Sequence, residues 1–285
     1  MRLAPLVVCG AAFLGLAVID AAAGSAASQA RGGQLQVGYG ITLAGLSLGT
    51  ANLTANFDGK AYQLNLQARL TGLAGLVVGG GGSATSTGQV GARQPLPLSY
   101  AVTSSSGRAS RTVRIGLNAG NVTGLDIAPP LEPREDRVPV QDSHKRGIVD
   151  PVGALVMPIT GNAASDPANC NRTLPVFDGA ARFDIRLTYE GTHQVEKPGY
   201  AGPVLVCRAR YVPISGHRAE RSSVKFMEDN RDISVWLAPV EGAKILVPLR
   251  IAVQTQIGMS VVEASRWRDE SNDIRVARPS LRGTN

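Results

Sequence analysis

Apolar and polar residues alternate with a period of two along much of the chain. Leu35, Val37, Tyr39 and Ile41 are separated by smaller or polar residues, and Leu46, Leu48 and Leu53 continue the alternation. Tyr62, Leu64, Leu66 and Ala68 interleave with Gln63, Asn65, Gln67 and Arg69; Val113, Ile115 and Leu117 repeat the pattern, as do Phe183, Ile185 and Leu187. A period of two sends successive side chains to opposite faces of a strand, so each segment predicts a strand with one buried and one wet face. That is the antiparallel habit, because parallel strands are covered on both faces. Asp58-Gly59 and Asp178-Gly179 each follow a phenylalanine and precede such a segment, which is a hairpin signal. The match between these two segments does not extend beyond the turn and its strand, so it reads as shared local chemistry rather than an internal duplication.

Four stretches break the alternation. Leu73 to Val78 is apolar and runs into Gly79 to Gly82, which predicts a short helical turn or strand end followed by a mobile loop. This glycine run is no phosphate loop, because it lacks GxxxxGK[ST] or GxGxxG and leads into the strand-like Ser83 to Thr87. Asp150 to Met157 predicts a short helix: Asp150 can cap, Pro151 suits the first position, and Val152, Leu155 and Val156 share a face. Pro129 to Asp142 is proline-rich and charged, hence a loop, and residues 266–285 form a charged tail without apolar period, expected to be disordered. The fold expected is all-β: one strongly curved antiparallel sheet or open half barrel over residues 31–265, with one or two short helices, one of them near the concavity.

Residues 1–30 change the picture of where the chain works. Arg2 precedes an apolar run from Leu3 to Ile19, and Ala21-Ala22-Ala23 and Ser28-Gln29-Ala30 follow as small-residue sites. The run is short for a membrane span of roughly 20 residues, so a signal peptide cleaved between Ala23 and Arg31 is expected, with export to the periplasm. Cys9 follows Val8, where a lipid-acceptor box needs a small residue, so it reads as part of the signal. No later stretch predicts a transmembrane span. Cys170 and Cys207 then remain as a pair, and in an oxidising compartment a pair reads as a disulfide, worth roughly 4 kcal/mol by loop-closure entropy. Twenty-nine Lys and Arg against 22 Asp and Glu give a net charge of +7, mostly arginine and spread along the chain; it fits solvated strand faces better than it fits attraction to anionic lipid or polysaccharide, the alternative reading. Aromatic residues at 5% are too sparse for a stacking platform, and no nucleic-acid motif is present, so no nucleic-acid partner is expected.

Candidate chemistry is thin. Gly45-Leu46-Ser47-Leu48-Gly49 matches the nucleophile elbow G-x-S-x-G, but the elbow needs a helix after the serine and this segment continues as strand. Ser222-Ser223-Val224-Lys225 matches S-x-x-K without the helix, S-D-N or K-T-G that would accompany it. His144, His193 and His217 lie far apart in sequence, unlike zinc ligands, so no metal or other cofactor is expected. Asp178 and Asp184 read as a turn residue and a solvent-facing strand residue rather than a glycosidase pair.

The order of parts resembles a bacterial family of exported proteins, domain of unknown function 3108. The resemblance rests on the Tyr39 strand, Phe57-Asp58-Gly59, Gly88 with Leu96-Pro97 and Tyr100, and Asp150-Pro151. It continues through Phe177-Asp178-Gly179, Val206 to Tyr211 with Pro213, Ile233 to Leu237, and Ile245 to Ile251, and spans about residues 34 to 265. It departs after Trp236, where Ala238 to Gly242 replaces the usual acidic turn. The resemblance implies a curved β-sheet protein of the envelope, similar in outline to half barrels that carry lipoproteins or sense envelope components, and implies no catalytic residues. The expectation is therefore a non-catalytic periplasmic protein that binds or scaffolds an envelope lipid, lipid-linked glycan or protein, with Trp236, His217 and Arg218 as candidate binding residues. A serine hydrolase using Ser47, or a purely structural envelope partner, are the alternatives.

Overall fold

The structure, a computed structural model, describes residues 33–71, 80–107 and 109–270. The expected signal peptide, the Leu73–Val78 turn and the tail beyond residue 270 lie outside the described residues. Seven strands come first: β1 (Gly33–Leu43), β2 (Leu46–Asp58), β3 (Ala61–Leu70), β4 (Gly80–Val90), β5 (Pro95–Ser106), β6 (Ala109–Asn118) and β7 (Asn121–Ala128). After a long irregular segment come β8 (Met157–Pro158), β9 (Arg172–Phe177), β10 (Arg182–Lys197), β11 (Tyr200–Ser215), helix α1 (Ser222–Asp229), β12 (Ile233–Val240), β13 (Ile245–Thr255) and β14 (Gly258–Asp269). All strands join one antiparallel sheet in the order β7-β6-β5-β4-β3-β2-β1-β14-β13-β12-β11-β10-β9, with β8 added beside β13. Every neighbour along this path is also a neighbour in sequence except β1 and β14, which pair from Leu35 with Asp269 to Leu43 with Ser260.

The hairpin signals act as expected. Gly59 takes a φ of 57° between β2 and β3, and Asp178 Oδ1 accepts hydrogen bonds from the N–H groups of Ala180 and Ala181 between β9 and β10. Ala44 and Gly45 both adopt positive φ in the turn joining β1 to β2, the requirement of a two-residue hairpin that twists with its strands.

The sheet does not close into a barrel by strand pairing, and its edges, β7 and β9, are stitched together by residues 147–149. Ile148 N–H donates to the Gly120 carbonyl beyond β6 at 2.8 Å. Val149 N–H donates to Pro175 in β9 at 2.9 Å, and Phe177 N–H returns to Val149 at 3.0 Å. The turn at Gly179 lies against β6 and β7 so tightly that a Cβ there would fall 2.5 Å from Val113 and 3.4 Å from Leu125.

The concave face holds the main core. Leu35, Val37, Leu53, Leu64 and Ile115 from the first seven strands meet Phe177, Ile245 and Leu249 from the later ones. Ile148, Val152 and Val156 are buried among them, so the irregular segment plugs the trough. A sheet this broad has a lumen wider than its own side chains can fill. The plug was expected as a helix; only Gly153–Leu155 forms a single 3-10 turn, because the chain must straighten into β8 immediately afterwards.

A second core lies on the opposite face of the later strands. Leu174, Val176, Leu187, Leu205, Val235, Leu237 and Leu246 form it with Cys170 and Cys207. Ile245 to Leu249 is therefore buried throughout, and the one-face burial expected of the alternating strands holds for β1 to β6 but not for β13. The cover is the loop after β8. Within it Asn169 Oδ1 accepts from the N–H groups of Thr160 and Gly161, Asn169 Nδ2 donates to the carbonyls of Ala163 and Ala164, and Asp166 accepts from Asn162 and Ala168. The Cys170–Cys207 disulfide, with Cα atoms 5.5 Å apart, fastens this loop to β11.

Three further expectations are corrected. Gly80 to Gly82 open β4 rather than form a loop; Cβ atoms there would lie 2.7–2.8 Å from carbonyls of Ser105, Ala68 and Thr103, so only glycine lets the neighbouring strands approach this closely. Residues 266–269 belong to β14 rather than to the tail, with Trp267 buried against the β10–β11 hairpin, where its N–H donates to Pro198. The second short helix falls at α1, in a segment read as lying beside a strand rather than as helix; its N-cap, Arg221, offers no side-chain cap to mark the start.

Replacing Cys170 and Cys207 by serine should lower stability by roughly 2–5 kcal/mol, read as an earlier urea midpoint in the variant than in the oxidised protein. Equal midpoints would show that the loop stays down without its fastening.

Candidate functional site

The sequence-derived candidates are scattered. Trp236 lies in β12 opposite Val206 in β11, half-buried against the concave core. Its ring already has two companions: His193 stacks on it at 5.2 Å with planes 18° apart, and the Arg250 guanidinium lies 5.2 Å from its centroid. His217 and Arg218 follow the far end of β11. Arg218 Nε donates to Asp136 at 2.6 Å, the His217 carbonyl accepts from Val138 N–H at 2.9 Å, and Arg137 pairs with Arg218 in an isolated bridge. These two residues hold the loop after β7 onto the turn after β11, and the structure does not bring them to Trp236.

Ser47 lies in β2, exposed and paired with Thr42, and the strand runs on to Asp58. A nucleophile elbow needs a strained strand-to-helix turn at that position, and none is there. The S-x-x-K match does fall on a helix, contrary to expectation, with Ser222 opening α1 and Lys225 one turn on. Both side chains are exposed, and Lys225 Nζ is paired with Glu220. His144 Nδ1 accepts from Gln141 N–H in a 3-10 turn. Asp184, expected to face solvent, is largely covered and lies 2.7 Å from Arg182. Among the described residues no group of three His, Cys, Asp or Glu side chains converges on a metal position.

Among the described residues, the carboxyl raised most by its surroundings is at Asp150, in the plug. It is fully buried under β4 and β5, where one Oδ accepts from the N–H groups of Val152 (3.0 Å) and Gly153 (2.8 Å), and the other from Ser86 Oγ (2.7 Å). Burial dominates these hydrogen bonds and pushes its pKa from 3.8 up to about 6. The phenols of Tyr62 and Tyr100 stand beside it, each held above the ordinary range by burial first and the Asp150 charge second. Tyr62 Oη is buried, and a Cβ at Gly153 would fall 3.1 Å from it. A carboxyl titrating near 6 beside a serine could exchange protons, but Asp150 and Ser86 have no exposed surface through which a substrate could reach them. The cluster is a polar pin that fixes the plug to β4. Sequence reasoning found Asp150 as a cap; its burial depends on Ser86, 64 residues away, a partner that no local pattern announces.

Residues 35–265 match the family described as "Protein of unknown function (DUF3108)". No curated protein matches the chain in sequence. Among solved structures, a beta-barrel-like protein of domain of unknown function DUF1849 from Brucella abortus is similar at a TM-score of 0.47 and 9% identity, over 83% of this chain and 97% of that one.

The raised pKa of Asp150 sets a direction for stability against pH. The folded state keeps this proton up to about pH 6, whereas the unfolded chain loses it near 3.8; stability from this group is therefore full below about pH 4 and falls, by about 3 kcal/mol in all, as pH rises through 6. Asp166 has the opposite sign, because hydrogen bonds from Ala168 and Asn162 hold its carboxyl below the ordinary range. Comparing wild type with Asp150→Asn cancels Asp166 and every other common group. Asn keeps the acceptor for Val152 and Gly153 and can donate to Ser86. Urea unfolding should show Asp150→Asn gaining on wild type between pH 4.5 and 7.5; a constant difference would overturn the assignment.

Proposed function

The chain belongs to the DUF3108 family of proteins of unknown function, and on that premise we propose that it is an exported, non-catalytic protein of the bacterial envelope that scaffolds or binds an envelope component. The observation that carries this reading is the filled concavity. Ile148, Val152 and Val156 occupy the trough in which a half barrel would otherwise hold an apolar ligand, so among the described residues this trough is not open to a passenger lipid chain, and contact with partners falls to the outer surface. The disulfide supports an oxidising compartment. No helix among the described residues is long and apolar enough to cross a membrane.

N-terminal sequencing of the protein recovered from the periplasm tests export. The expected start lies between Gly24 and Arg31; an intact Met1, or lipid on Cys9, would sink the proposal.

Ser47→Ala tests the absence of hydrolysis. In a deletion strain the variant should restore the wild-type phenotype completely. Failure to complement with an unchanged urea midpoint would put a serine hydrolase in place of the scaffold.

A further inference from the structure

A cavity of about 1090 Å³ opens where the β4–β5 turn approaches edge strand β9. Three arginines from separate parts of the chain line it: Arg93 from that turn, Arg172 from the start of β9 and Arg186 from β10. No carboxylate lines it, and none of the three is ion-paired among the described residues. Arg172 is the built element. Its Nη2 donates to Thr160 Oγ1 at 3.1 Å and its Nη1 reaches the Arg93 carbonyl at 3.5 Å, while Nε is buried with no partner. Burial first, and the Arg93 charge second, lower its pKa. A partly buried guanidinium with an unfilled donor and a like charge beside it is an arrangement that an anion relieves.

We propose that this pocket binds an organic phosphate whose phosphate group is held by Arg93, Arg172 and Arg186 and whose remainder carries hydroxyl groups. Guanidinium groups from three segments lining one cavity match a tetrahedral oxyanion, which accepts several paired N–H donors, better than a carboxylate, which one guanidinium fork saturates. The volume lies at the upper end of small-ligand sites, far more than an inorganic ion fills. The remaining polar wall, Asn171 and Thr188 beside Thr160, offers donors and acceptors suited to hydroxyls. The same headgroup chemistry could come from a soluble sugar phosphate or from a phosphoglycerol lipid at a membrane surface. The site stands on this geometry whether or not the chain is exported.

Calorimetric titration of the purified protein with glucose 6-phosphate, inorganic phosphate and glucose tests the chemistry. Sedimentation with phosphatidylglycerol or phosphatidylcholine vesicles tests the source. Glucose 6-phosphate should bind more tightly than phosphate, and glucose should not bind. Arg93→Ala and Arg186→Ala, both at exposed positions, should each weaken binding roughly tenfold or more, and Arg172→Lys should weaken it as well, because an ammonium lacks the fork. Arg114→Ala, outside the pocket, should leave it unchanged. Phosphatidylglycerol binding that glucose 6-phosphate displaces identifies a lipid source, and sugar-phosphate binding without vesicle binding identifies a soluble one; either supports the site. The proposal fails if neither glucose 6-phosphate nor phosphatidylglycerol binds. It also fails if Arg93→Ala and Arg186→Ala bind like wild type, or if Arg114→Ala weakens binding as much as they do.

Discussion

The rest of the structure depends on filling the inside of a sheet that is too broad to fill itself. Side chains from opposite walls of a narrow barrel meet at its axis; with this many strands they do not. An unfilled trough would leave the concave faces of Leu35, Leu53, Leu64 and Ile115 against a void or against water. The plug at residues 147–157 supplies the missing volume with Ile148, Val152 and Val156, and its backbone joins edges that never pair with each other. A peptide segment inside an apolar trough brings polar backbone groups with it, and these must be satisfied. Asp150 answers that requirement by accepting from Val152 and Gly153 while Ser86 holds it from the sheet. The ionised carboxyl is the cost of that solution, which is why its pKa rises.

The two halves of the sheet solve different problems. Strands β1 to β6 bury one face and largely wet the other, and they need only the plug. Strands β9, β11, β12 and β13 bury residues on both faces, so a second cover is required. The loop after β8 provides it, organised by Asn169 and Asp166 and fastened by the disulfide to β11. A loop without ladder hydrogen bonds has little cooperative stability of its own, so a covalent fastening is placed where the sheet cannot help.

What was legible in the sequence was what is local. Alternation at Tyr62 to Ala68 and at Val113 to Leu117 marked strands, Asp58-Gly59 and Asp178-Gly179 marked hairpins, and Cys170 with Cys207 marked the disulfide. The curved antiparallel sheet follows from those. What was illegible is set at long range. Gly80 to Gly82 looked like a loop because the need for close strand approach is visible only beside Ser105 and Ala68. Ile245 to Leu249 broke alternation because a distant loop covers it. Arg93, Arg172 and Arg186 carry no motif, since three separate segments bring them together, whereas the conspicuous Trp236, His217 and Arg218 are engaged by different parts of the fold.

The pairing of β1 with β14 bears on the order in which the molecule can be built. Strands β2 to β6 each find a partner as soon as the next strand leaves the ribosome. Strand β1 has one side satisfied by β2, but its other side waits for β14, which is the last strand described. Until then a long strand edge lies open in the middle of the future sheet, the kind of edge that recruits other chains. Such late, distant closure makes folding slow relative to local hairpins, and the interval before it is when a nascent chain is most exposed to aggregation. A truncation that removes Gly258–Asp269 would therefore do more than shorten the sheet: it would make that vulnerable interval permanent.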